Sequence, residues 1–140
     1  MLRGEFDAAD ASATELRDAY ASTLREVVEA VGVETVVAES DLSRETVEAL
    51  AAGETPELTL SEAAAVLSLS PSRPDADTIR QDALDVLLMG MSVAVVDVDT
   101  VASRLDGGLE AKEIQAKVEG RRPVTLAEYA RLHRFVERNK

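Results

Sequence analysis

A single histidine, no cysteine and 27 carboxylates leave this chain few routes to covalent chemistry. His133 shares a helical face with Leu126, Tyr129, Ala130 and Val136, so a packed, hydrogen-bonded imidazole is expected there rather than a base or a metal ligand. Without cysteine there is no disulfide framework, thiolate zinc site, iron–sulfur cluster or thiol nucleophile. Asp97-Val98-Asp99 places two carboxylates two residues apart, but the later glycine and terminal glutamate of a calcium loop are missing, and a helix cap is the expected role. Gly107-Gly108 reads as a turn, because no strand-to-helix unit with Lys-Ser or Lys-Thr accompanies it. No carboxylate pair stands in an apolar setting. A non-catalytic protein without cofactor or metal is therefore expected.

Cations carry the remaining chemistry. The chain has a formal charge of −12, yet Arg104 to Lys140 holds nine bases against six acids. The contrast is sharp, since residues 1–70 contain four bases and 15 acids. Lysine and glutamine side chains in this segment suit guanine and adenine edges, and arginines suit phosphates. The plainer reading is that these cations pair with neighbouring acids such as Glu113 and Glu119, each pair adding little stability.

The elements that must position these residues are helices. Leu16, Ala19, Tyr20, Leu24, Val27, Val28 and Val31 recur at threes and fours, and Gly32 can stop that helix. A short helix is expected at 33–39, and another behind Ser43 with Val47, Leu50 and Ala51 on one face, closed by Gly53 and Pro56. Thr59-Leu60-Ser61-Glu62 and Thr125-Leu126-Ala127-Glu128 are capping boxes, each opening a further helix. Pro71-Ser72-Arg73-Pro74 breaks the chain. Beyond it Ile79, Ala83, Leu84, Leu87 and Leu88 define a face that starts near Asp75 or Asp77 and ends near Gly90. Residues 91–98 form a buried helix or an apolar connection, since their β-branched run has no partner strand. Asp99 is expected to cap a helix through Leu105, and Leu109, Ile114 and Val118 to mark another that ends at Gly120. The organisation is a frayed 1–12, an acidic unit at 13–70, a linker at 71–76 and a locally basic unit at 77–140.

The two units repeat one another. Residues 42–53, LSRETVEALAAG, align without a gap to 109–120, LEAKEIQAKVEG, and both are followed by a proline and the capping box. Duplication of one small helical unit is expected from a string that matches in order, and convergent capping grammar, since Gly, Pro and Thr-x-x-Glu recur between many helices, is the weaker alternative. VAESDLSRETVEALAAGETP (37–56) resembles the helix-turn-helix core of the lambda-repressor-like (XRE-type) family, with Ala38, Ser43, Val47, Gly53 and Pro56 at its small, capping, buried, stop and break positions. Ala102, Leu109, Ile114, Gly120 and Pro123 are similar in the second copy. This resemblance implies an all-α protein of two tandem helix-turn-helix-like units packed as one molecule.

It also implies that the second helix of a copy meets the major groove. Copy one would present Glu45 and Glu48 among Glu39, Asp41 and Glu54, and is expected not to bind DNA. Copy two offers Arg104, Lys112, Gln115, Lys117, Arg121 and Arg122 as DNA contacts. The expected function is a DNA-binding transcriptional regulator acting through the second unit. The rival is a protein-interaction adaptor on a helix-turn-helix scaffold that has lost DNA contact.

Composition sets the surroundings. Twelve arginines against three lysines, with abundant Ala, Val, Asp and Glu, resemble the composition of halophile proteins, and the whole chain resembles small haloarchaeal proteins. At about 1 M salt the Debye length is ~3 Å, so dense carboxylates repel weakly. Residues 1–10 lack the basic and apolar regions of a signal peptide, and no apolar run approaches ~18 residues, so a cytoplasmic protein that does not span a membrane is expected. Homodimerisation through 86–98 is a further option, although the interior of the second unit is the favoured place for that segment.

Overall fold

Side-chain caps decide where most of these helices begin. In a computed structural model, which describes residues 8–105 and 108–140, the chain is all-α. The described residues form α1 (Ala13–Val31), α2 (Val33–Glu39), α3 (Arg44–Ala51), α4 (Leu60–Leu67), α5 (Ala76–Ala94), α6 (Val98–Arg104), α7 (Ala111–Val118) and α8 (Leu126–Arg138). Ser12, Thr59 and Thr125 each accept the amide of a glutamate three residues on, and that glutamate returns the bond to the cap amide. Ser43, Asp75 and Asp97 cap α3, α5 and α6 through one bond each. The cap of α6 is thus Asp97 and not Asp99, which lies inside the first turn. Asp97 is in the extended conformation that lets its carboxylate reach the Thr100 amide at 2.8 Å.

The expected frayed start divides. Residues 1–7 lie outside the described residues, whereas 8–12 form a turn with Ala8 buried. Arg134 Nε donates to the Ala11 carbonyl at 2.9 Å and ties that turn to α8. The expected turn at Gly107-Gly108 is described only at Gly108, which has φ +77°.

The repeat seen in 42–53 and 109–120 extends through four helices. α1 and α5 have 19 residues each, α2 and α6 seven, and α3 and α7 eight. The units interlock instead of sitting side by side: α1 packs on α8, and its counterpart α5 packs on α4. Between them Leu60 N donates to the Val124 carbonyl and Leu126 N to the Leu58 carbonyl, both at 2.8 Å. Thr59 and Thr125 form the intervening antiparallel bridge. Equivalent residues exchange equivalent bonds, as in a two-fold dimer.

One apolar cluster runs through both units, with Leu16, Tyr20 and Leu24 of α1, Leu60 and Leu67 of α4, Ile79, Leu84 and Leu87 of α5, and Tyr129 and Val136 of α8. Tyr20 and Tyr129 meet edge to face with centroids 5.9 Å apart. His133 is buried beside them, its Nδ1 sharing a 2.7 Å hydrogen bond with Tyr20 Oη, and burial lowers its pKa from 6.5 to about 3. It is a neutral core residue, as its place on the apolar face implies.

One expectation for the middle of the chain fails and another holds only in part. α5 does not stop at Gly90 but continues to Ala94, because Gly90 lies where α5 meets α8. A Cβ there would stand 2.7 Å from Val136 Cγ2, so the missing side chain permits close helix packing. The 86–98 segment is interior only in part: Val86, Leu87 and Gly90 are buried, and the rest turns toward solvent. Met89 is 54%, Val93 61% and Val95 89% exposed, with Leu88 beside them. α4, α7 and α8 cover only part of α5, and this last face turns outward.

Candidate nucleic-acid interface

The second unit builds its cationic surface from the end of α7 and the turn that follows. Ile114 and Val118 bury the inner face of α7, which leaves Lys112 and Gln115 exposed. Gly120 then takes φ +78°, a conformation easy only for glycine, and lets the chain turn into Arg121 and Arg122. A Cβ on Gly120 would also stand 2.7 Å from an Arg80 Nη2. Without it, Arg80 Nη2 donates to the Gly120 carbonyl at 2.8 Å and fixes the turn to α5.

Lys117, Arg121 and Arg122 join Arg80 in lining a hollow of about 160 Å³, with Ser61 of the first unit on its rim. Three of the six expected contacts are therefore brought together. Lys112 and Gln115 stand on the adjoining exposed face of α7, whereas Arg104 lies apart, in a separate cleft between α6 and α8. Sequence reasoning missed Arg80, which is 40 residues from the carbonyl it holds.

Several of these groups already have partners. Lys117 is only 13% exposed and pairs with Glu128, the capping glutamate of α8. Burial opposes ionisation of Glu128, but Lys117 and the Thr125 amide outweigh it and hold the carboxyl below its ordinary range. Glu119 accepts from Gln115 Nε2 at 2.8 Å and from Arg121 Nε at 2.9 Å, and both bonds lower its pKa. Lys117 is thus a structural cation. The Glu119 contacts are exposed and cheap to exchange. Arg122 and Lys112 are exposed and enter no ion pair among the described residues.

The matching place in the first unit has the opposite character. Gly53 turns the chain at φ +94°, but Glu54 and Thr55 follow where Arg121 and Arg122 stand. Arg17, the counterpart of Arg80, reaches the Thr55 carbonyl at 3.4 Å. On α3 Arg44 is held by Glu34 through two bonds of 2.6 and 2.7 Å, which also depress the Glu34 pKa. The scaffold is repeated and the charge is not.

Fold and surface together define an all-α protein of two interlocked helical units whose cations are concentrated on the second. The chain belongs to the DUF5791 family, a family of unknown function, whose profile matches residues 16–139. Comparison with curated proteins and with solved structures gave no match. Among the described residues no group of His, Asp or Glu is placed to hold a metal ion. No single helix among them is long and apolar enough to cross a membrane.

Proposed function

We propose that the protein is a non-catalytic DNA-binding factor, a transcriptional regulator of helix-turn-helix type whose second unit contacts DNA. The observation that carries this reading is the divergence of the duplicated turn, Gly-Glu-Thr-Pro in the first unit and Gly-Arg-Arg-Pro in the second. Arg121 and Arg122 would meet phosphates, while Lys112 and Gln115 on α7 would face base edges. Glu119 is the internal competitor that phosphate must displace from Arg121. A cytoplasmic, salt-rich setting fits the acidic remainder, because strong screening weakens its repulsion of DNA.

The test is fluorescence anisotropy with duplex DNA fragments of mixed sequence, titrated from about 0.2 to 3 M KCl, with folding followed in parallel by circular dichroism. Saturable binding that weakens with salt and is lost in Lys112→Glu/Arg121→Glu is expected. A folded protein that binds at no salt concentration would remove the proposal.

The second reading, a protein-interaction adaptor, draws on the apolar ridge of Leu88, Met89, Val93 and Val95. Such a contiguous exposed set is a common mark of protein contact. A second copy of the chain is its simplest occupant, since a mainly apolar ridge, with Ser92 among Leu88, Met89 and Val93, can pair with its own copy across a two-fold axis.

A further inference from the structure

Arg104, which sequence reasoning grouped with the α7 cations, faces a different set of arginines. Arg131, Arg134 and Arg138 recur at three and four along α8 and so share one helical face, and Arg104 at the end of α6 closes on them. These four arginines, with Phe135 and Leu105, line a cleft of about 330 Å³. The other described lining residues are Ala13 and Asn139, with no carboxylate among the described ones, and Arg131 has a partner of its own. In a chain of net charge −12, four arginines around one hollow are an unusual concentration of positive charge. Arg134 is anchored through Nε to the Ala11 carbonyl, a bond that does not use its two Nη atoms. Arg104 and Arg138 are exposed.

We propose that this cleft binds a free nucleoside di- or triphosphate. Arginine offers a planar fork of donors matched to phosphate oxygens, and several forks around one hollow suit a chain of phosphates better than a single one. The volume lies near the lower end of the ~300–1,000 Å³ typical of small-molecule sites. Phe135 and Leu105 supply an apolar wall on which the base can lie. The site is separate from the proposed DNA surface and does not depend on it.

Calorimetric titration of the folded full-length protein with ATP, inorganic triphosphate and adenosine tests the proposal. ATP is expected to bind with one-to-one stoichiometry, triphosphate more weakly, and adenosine not measurably. Arg104→Gln/Arg138→Gln, both at exposed positions, should weaken ATP at least tenfold, whereas Arg121→Gln/Arg122→Gln should leave it unchanged. Phe135→Leu should weaken ATP and not triphosphate. Absence of ATP binding, equal losses in the two double variants, or displacement of ATP by duplex DNA acting through the same two arginines would overturn it.

Discussion

His133 shows how much one side chain's type and position disclose. Its place on the apolar face marks a buried imidazole, but nothing in the sequence points to Tyr20, its partner 113 positions away across the α1–α8 contact. The pairing has a consequence for acid stability. With a pKa of about 3 in the folded protein against 6.5 ordinarily, the unfolded chain takes up the proton first. Stability is therefore complete above pH 6.5 and falls as pH drops toward 3. By pH 5 the loss from this group is about 2 kcal/mol. The capping carboxylates of Glu15, Asp75 and Asp97 have depressed pKa values, so their contribution is lost only as pH falls from their ordinary values of 4.5 and 3.8. Urea unfolding at pH 7.5 and pH 5.0 in constant KCl isolates the imidazole. The wild type is expected to lose stability over that interval and His133→Gln to change little, while a flat wild-type profile would contradict a neutral buried histidine.

At the scale of elements, starts were more legible than ends. Ser43, Thr59 and Thr125 announce their helices because a cap acts on amides within three residues, so the signal is local. Glycines are ambiguous, since the same residue serves a positive φ or a close approach. Gly32, Gly53 and Gly120 end helices with φ between +78° and +94°, but Gly90 is helical and exists to admit Val136. Only the position of α8 distinguishes these cases, and that is tertiary information. Gly90→Ala should cost about 1–3 kcal/mol by overpacking, despite the better helix propensity of alanine. Adding Val136→Ala should return part of the loss, so denaturation of the two single variants and the double variant is expected to show coupling. Strict additivity would mean that the helices do not meet at this point.

Over the whole molecule, the duplication was visible from 33–36 and 98–101 through 42–53 and 109–120 to the two capping boxes, whereas the pairing of α1 with α5 was not. α1 and α5 keep equal length, but Tyr20 faces Ala83 in the alignment and the apolar pattern alone does not pair them. The outward ridge was also hidden, because Leu88 and Val93 look like core residues until the packing shows which face of α5 is covered. If the ridge pairs copies, Leu88→Lys/Val93→Lys should be monomeric by sedimentation at concentrations where the wild type is a dimer, with helicity unchanged. A monomeric wild type would leave the adaptor reading without that occupant. The candidate DNA face was legible as a cluster of cations, yet its division into Lys117 held by Glu128, Arg121 shared with Glu119, and Arg122 left open required the fold. In the proposed function the second turn of the repeat meets phosphate. The most direct test is the slope of log affinity for duplex DNA against log KCl concentration, for the wild type and for Arg121→Gln/Arg122→Gln. The wild type should bind, with a slope steeper by about 1.8, or ~0.9 for each phosphate contact removed in the variant. Equal slopes and affinities, or no binding by the folded wild type, would contradict it.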